Sequence, residues 1–90
     1  MTPENIRYHA AGHLAAAVLL AEKHPRAAAA ILEEVMRFAT HPKVSAPPQL
    51  TAKILSAAGD PAASARDILL LEAWFVDPFN TVIEKSGGVR

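Results

Sequence analysis

The stretch "IRYHAAGHLAAAVLLAEKHPRAAAAILEEVMRFA", residues 6–39, carries two apolar stripes at helical spacing, with a proline between them. Apolar residues at i, i+3, i+4 and i+7 line one face of an α-helix. The first stripe consists of Ile6, Ala10, His13, Leu14, Ala17 and Ala21, and the second of Ala28, Ile31, Leu32, Val35 and Phe38. His24-Pro25 suits the N-cap and first position of a new helix. The stretch therefore predicts two consecutive helices.

The same helix-start signal, a polar residue followed by proline, recurs along the chain. A polar residue precedes proline at Thr2-Pro3, Asp60-Pro61 and Asp77-Pro78, and a further start is expected within residues 45–50. We expect helices at about 3–22, 26–39, 48–58, 61–76 and 78–86, and no strands, because β-branched residues are few and no run alternates. The predicted fold is all-α, a compact bundle of four to five short helices in a single domain, residues 1–90. The longest segment without periodicity, residues 40–49, is expected to be a loop.

Composition limits how such a bundle is stabilised. The chain has 90 residues and no cysteine, so neither a disulfide nor a zinc–thiolate site can support it. Hydrophobic residues make up 51%, but many are alanine, which buries little area per residue. A core of this kind predicts that the domain gains stability from a second copy, as a homo-oligomer, or from a protein partner.

Charge and hydropathy disfavour two classes of partner. Nine basic and nine acidic residues cancel, and the cations are scattered singly, whereas nucleic-acid binding normally needs a basic face. The longest apolar run, Leu14–Ala21, is too short to span a membrane. The N-terminal residues lack the pattern of a signal sequence. We expect a soluble, cytoplasmic protein that does not enter a membrane and for which nucleic acid is a disfavoured partner.

Two histidines four residues apart, His9 and His13, lie on one helix face and could bind one metal ion. The surrounding sequence "IRYHAAGHLAAAVLL" resembles the active-site helix of the ATP-dependent zinc peptidases of the AAA-protease type. That family carries His-Glu-Ala-Gly-His after a tyrosine or similar residue, and Tyr8, His9, Ala11, Gly12 and His13 match it. The resemblance implies zinc bound by the two histidines and by an acidic residue far downstream. It covers about one sixth of the chain.

Ala10 stands where that family has its glutamate, the general base for zinc-bound water. A methyl group accepts no proton, so we predict that the chain is not an enzyme of this type. Three interpretations of the pair remain. The first is a His13 that lies on the buried stripe and bonds a backbone carbonyl or a side chain, with His9 at the edge of that stripe. The second is a metal site completed by His24, His41 or another molecule. The third is a peptidase-like helix without activity.

The segment "ILLLEAWFV", residues 68–76, is apolar around nearly its whole circumference, with Glu72 as the exception. Such a helix is either enclosed by its neighbours or shared with another molecule. We predict partner binding or dimerisation through Trp74, Phe75 and Phe79, and the alternative is that the neighbouring helices cover them.

Residues 50–69 are similar to a helix-turn-helix with its turn at Gly59. The second helix would enter the major groove, yet Arg66 is its only cation and Asp60 and Asp67 repel phosphates. An ordinary helical hairpin is the favoured interpretation. The leading functional hypothesis is a non-enzymatic protein-interaction module, that is, an adaptor, inhibitor or small regulator. The alternatives are a metal-binding or inactive zinc-peptidase-like domain and a DNA-binding regulator. No cofactor is expected unless the histidine pair binds zinc.

Overall fold

The computed structural model describes residues 2–81, which form four α-helices and one short 3-10 turn. The helices are α1 (Pro3–Leu20), α2 (Pro25–Ala39), α3 (Pro48–Gly59) and α4 (Ala65–Val76), and the 3-10 turn, Ala62–Ser64, leads into α4. Residues 2–81 contain no strand. The predicted all-α bundle is confirmed, and the first three helices begin and end within about two residues of the predicted positions.

Proline sets the starts of the first three helices. Pro3, Pro25 and Pro48 each occupy the first helical turn, where the missing N–H would have no partner in any case. At the start of α1, the Oγ1 of Thr2 also accepts a hydrogen bond from the Asn5 N–H at 3.2 Å. These local signals are visible in the sequence, which explains why the helix starts could be predicted.

The fourth helix starts later than predicted, because residues 61–64 adopt a tighter turn. Asp60 accepts two hydrogen bonds from the end of this turn. Its Oδ1 accepts from the Ala63 N–H at 3.4 Å, and its carbonyl accepts from the Ser64 hydroxyl at 2.8 Å. The predicted fifth helix does not begin at Pro78. Residues 78–80 form a turn, in which the Asn80 amide donates to Asp77 Oδ2 at 2.9 Å. The remainder of that predicted helix lies outside the described residues.

The four helices pack in a closed circuit, since α1 contacts α2 and α4, and α3 also contacts α2 and α4. One cluster of buried side chains fills the centre. Its largest fully buried members are Leu14, Leu32, Val35, Leu50, Ile54, Ile68, Leu71 and Phe75. Buried alanines, Ala10 and Ala17 on α1 and Ala28 on α2, occupy little volume and let helix backbones approach closely. The alanine-rich composition therefore serves close helix packing.

The segment between α2 and α3 is predicted as a loop, and its own hydrogen bonds hold it against the core. The His41 carbonyl accepts from the N–H groups of Val44 at 2.9 Å and Ser45 at 3.0 Å, and the Ala39 carbonyl accepts from Ala46 at 3.1 Å. Val44 and Ala46 pack against the core cluster. Ser45 has a φ of 48°, in the left-handed region that residues with a side chain adopt at some cost.

No helix within residues 2–81 has the combination of length and hydropathy that crossing a membrane would need.

Candidate functional site

The two histidines of the peptidase-like motif lie on the side of α1 that faces α2, and both rings surround the ring of Phe38. The His9 ring stacks nearly parallel to Phe38, with centroids 6.5 Å apart, and the His13 ring meets it edge-on at 5.2 Å. His9 is exposed and His13 is half-buried. His13 was expected within the buried stripe; it lies at the edge of that stripe, where it covers Phe38.

A hydrogen bond within α1 favours one tautomer of the neutral His13 ring. Its Nδ1 lies 2.8 Å from the carbonyl oxygen of His9. Because a carbonyl only accepts, Nδ1 carries the hydrogen, and in the neutral ring Nε2 is left with a free lone pair. Histidines that bind metals commonly donate their second ring nitrogen to a carbonyl in this way. The contact also matches the simplest prediction, in which His13 bonds a backbone carbonyl and His9 lies at the margin.

Ala10, at the position where the peptidase motif has glutamate, is fully buried in the core cluster. Its Cβ points between the helices, whereas His9 on the preceding residue is exposed to solvent. A carboxylate at position 10 would therefore enter the apolar interior and would not face water held between the two histidines. The arrangement differs from the catalytic geometry that the resemblance implies.

The structure does not bring the other predicted ligands to the histidine pair. His24 occupies the N-cap position of α2, and the Nδ1 of His41 accepts a hydrogen bond from the Lys43 N–H at 3.1 Å within its own loop. Among residues 2–81, no three side chains of the His, Cys, Asp and Glu types are grouped so that they could hold a metal ion. The pair offers two imidazoles, the first on an exposed residue and the second on a half-buried one.

The three predicted partner-binding aromatics occupy two different environments. Trp74 and Phe75 are buried, with ring centroids 5.1 Å apart at 90°, and both belong to the core cluster. Phe79, in the turn after α4, is 95% exposed. The neighbouring helices therefore cover Trp74 and Phe75, which was the alternative to a shared surface, and Phe79 is the member of the three that faces solvent.

A further apolar surface lies on the solvent side of α4. Leu69 and Val76 are each about half exposed, and Ala73 is exposed between them. Their spacing, i, i+4 and i+7, places them on one side of the helix. We refer to Leu69, Ala73, Val76 and Phe79 as the α4 outer face. Sequence periodicity missed this set, because a helix that is apolar all round does not indicate which side the core covers.

The helices α3 and α4 form the hairpin that resembles a helix-turn-helix. Lys53 on α3 pairs with Asp67 on α4 at 3.6 Å, and this pair links the two helices. The exposed side of α4 carries Arg66 at its first turn and then the apolar α4 outer face. A surface of this composition offers phosphates a single cation, whereas a duplex-binding face normally carries several.

No pocket that could enclose a small molecule was found in the part of the chain that the structure describes. Comparison with protein-family models, with curated proteins and with solved structures gave no match.

Proposed function

We propose that this chain is a small helical interaction protein, an adaptor, inhibitor or regulator, which binds another protein through the α4 outer face. The observation that carries the proposal is the 95% exposure of Phe79 in the turn that follows α4, together with the half-exposed Leu69 and Val76 on one side of that helix. Exposed aromatic and aliphatic side chains that lie together provide the anchors on which protein interfaces depend.

The construction of α4 supports this function. Its inner side carries Ile68, Leu71 and Phe75, all fully buried, which fix the helix against α1 and α3. Thr81 adds a hydrogen bond from its hydroxyl to the Ala73 carbonyl at 3.3 Å, which draws the turn after α4 back onto the helix. A surface held by a packed element loses little conformational freedom on binding, and this favours affinity. The partner would present an apolar groove or face.

The chemistry of α1 supports a role without catalysis. The position of the general base is an alanine enclosed by the core, and the two histidines stack on Phe38. No side chain of α1 supplies a carboxylate beside them, since the two acids near this helix, Glu4 and Glu22, lie at its ends. Binding by shape and apolar contact requires none of these groups.

The experiment is an affinity capture from cells that express the protein, in which a triple variant, Leu69→Ser, Val76→Ser and Phe79→Ser, is compared with the native sequence. Leu55→Ser, at a 60% exposed leucine on α3, is the matched control. We expect one or more proteins to be captured by the native chain and by the Leu55 variant, and to be lost from the triple variant. Proteins retained equally by all three would contradict the proposed surface. Because the substituted side chains are largely exposed, the free energy of unfolding of each variant should differ from that of the native chain by no more than about 0.5 kcal/mol per substituted site.

We propose, as a second candidate, that His9 and His13 bind a divalent metal ion whose remaining ligands come from another molecule or from water. The observation that favours it is the Nδ1–carbonyl hydrogen bond of His13, which leaves Nε2 available as a ligand. Calorimetric titration with zinc tests it, and His13→Ala is the comparison. Heat that disappears in the variant would support the site, and absence of heat in the native protein would reject it.

A further inference from the structure

His41 organises the connection between α2 and α3 through both its ring and its backbone. The N–H of Lys43 donates to the ring Nδ1 of His41 at 3.1 Å. The N–H groups of the next two residues, Val44 and Ser45, donate to the His41 carbonyl at 2.9 and 3.0 Å. The backbone of residues 43–45 therefore depends on this one residue for its hydrogen bonds.

The His41 ring can accept its hydrogen bond in only one protonation state. A backbone N–H only donates, so Nδ1 must present a lone pair, and the hydrogen of the neutral ring then lies on Nε2. In the protonated ring both nitrogens carry hydrogen, so Nδ1 would meet the Lys43 N–H as a second donor. His13 differs, because its Nδ1 faces a carbonyl and can donate in the neutral and the protonated ring alike. Protonation therefore removes the bond at His41 and leaves the bond at His13.

Within residues 2–81, no acidic group forms an ion pair with the His41 ring. The nearest acid along the chain, Glu34, pairs with Arg37 on the last turns of α2 at 3.4 Å. The other titratable side chains on the adjoining elements are Lys43 in the connection itself, Lys53 on α3, and His9 and His13 on α1, whose rings contact Phe38. A protonated His41 therefore loses a hydrogen bond without gaining an ion pair in this part of the chain.

The backbone that His41 orders carries side chains into the core. Val44 and Ala46 pack against the core cluster, and the Ala46 N–H donates to the Ala39 carbonyl at 3.1 Å, which returns the chain to the end of α2. Between them Ser45 has a φ of 48°, a conformation that the surrounding contacts must maintain. We infer that His41 makes the α2–α3 connection sensitive to pH: its neutral ring stabilises residues 43–46 against the core, and its protonation loosens them.

The direction and size of the response follow from this single bond. Histidine side chains titrate near pH ~6.5, so the bond is present at higher pH and lost at lower pH. One neutral hydrogen bond changes a conformational equilibrium by about twofold to tenfold. The amides of residues 43–46 should lose protection against hydrogen exchange by the same factor. The inference goes beyond the proposed function, because it concerns neither the α4 outer face nor the histidine pair of α1.

The experiment follows the purified full chain by NMR at about pH 8 and about pH 5, on either side of the usual histidine titration. Nitrogen-15 shifts of the His41 ring report its tautomer and protonation. Hydrogen exchange, corrected for the intrinsic rate at each pH, reports the protection of the Val44, Ser45 and Ala46 amides. We expect hydrogen on Nε2 at the higher pH, and a loss of protection by about twofold to tenfold once the ring is protonated. Unchanged protection beside a protonated ring would overturn the inference, and so would hydrogen on Nδ1 at the higher pH.

Three variants assign the response to the His41 ring. His41→Asn provides an oxygen that can accept from the N–H two residues on and does not titrate, so protection should stay high at both pH values. His41→Ala has no acceptor, so protection should be low at both. His24→Ala, the matched control at another histidine that precedes proline, should respond as the native chain does. A loss of protection at low pH that persists in His41→Asn and His41→Ala would assign the response to another group and overturn the inference. Circular dichroism of each variant verifies that it remains folded.

Discussion

Introducing the glutamate of the zinc-peptidase motif, by the substitution Ala10→Glu, should destabilise the protein and should not create a catalyst. Ala10 is fully buried, and it packs in the cluster that contains Leu14, Leu32 and Phe75. A glutamate at this position must displace neighbouring side chains. It must also either hold its carboxylate in an apolar environment or distort α1 to reach solvent.

Two costs determine the size of the effect. Inserting extra side-chain atoms into a packed core costs about 1–3 kcal/mol. Burying a carboxylate without a partner costs several kcal/mol more, even after relaxation. At about 0.05–0.15 kcal/mol per residue, a chain of 90 residues has a free energy of unfolding of about 5–13 kcal/mol. We therefore expect Ala10→Glu to remove about 4 kcal/mol or more, a large part of that total.

Urea denaturation followed by tryptophan fluorescence and circular dichroism measures this loss. The matched control is Ala30→Glu, the same substitution at an exposed position of α2, which should change stability by no more than about 0.5 kcal/mol. The pH dependence provides a second criterion. Burial raises the pKa of the introduced glutamate above the value of about 4.3 in the unfolded chain. The variant should therefore be least destabilised below pH ~4 and lose further stability as the pH rises. A loss below about 1 kcal/mol at neutral pH would show that position 10 is not enclosed.

Three further substitutions test local features of the fold by the same denaturation assay. Gly12→Ala should stabilise the monomer by about 1 kcal/mol, because the added Cβ meets open space and alanine favours the helix; a destabilised variant would contradict the exposure of this side of α1. Ser45→Val should destabilise by about 1–2 kcal/mol, since a β-branched residue is strained at a φ of 48°. Ser45→Gly, the control, should fall closer to the native chain, and equal losses would argue against the left-handed conformation. Thr2→Ala should cost about 1 kcal/mol through loss of the hydrogen bond from the Asn5 N–H, and Thr2→Ser should retain most of it. Equal stability of these two variants would show that the cap contributes little.

The helices could be predicted because their signals are local. Proline in the first turn and a single apolar stripe at helical spacing fix the start and inner face of α2, where Leu32 and Val35 are fully buried as expected. The tight turn before α4 was not predicted, because it depends on the carbonyl and carboxylate of Asp60 engaging residues 63 and 64. Those two bonds compete with a regular helical turn, and the residue types do not indicate which arrangement prevails.

The exposed apolar surfaces were harder to predict, because α1 and α4 are apolar on nearly every side. In α4, the aromatic residues predicted a binding surface at Trp74 and Phe75, which the circuit of helices covers. Leu69 and Val76, which the circuit leaves exposed, were not predicted. In α1, the histidine spacing predicted a site on one side of the helix, whereas the exposed Tyr8 and Leu19 lie on another side. Which side of such a helix faces inward depends on contacts with helices distant in sequence, and periodicity carries no information about them.

The same dependence on distant contacts explains why the spacing of two histidines on a helix is weak evidence for a catalytic site. His9 and His13 share a side of α1 in any α-helix, and residue 10 follows about 100° further round at 3.6 residues per turn. In this fold that rotation carries residue 10 into the core, whereas His9 remains in solvent. A catalytic glutamate would require the helix to turn until position 10 reached the surface. That rotation would withdraw Leu14 and Ala17 from the core cluster and break the packing of α1 against α2 and α4. The alanine at position 10 is therefore explained by the fold, and Ala10→Glu tests the fold and the catalytic interpretation together.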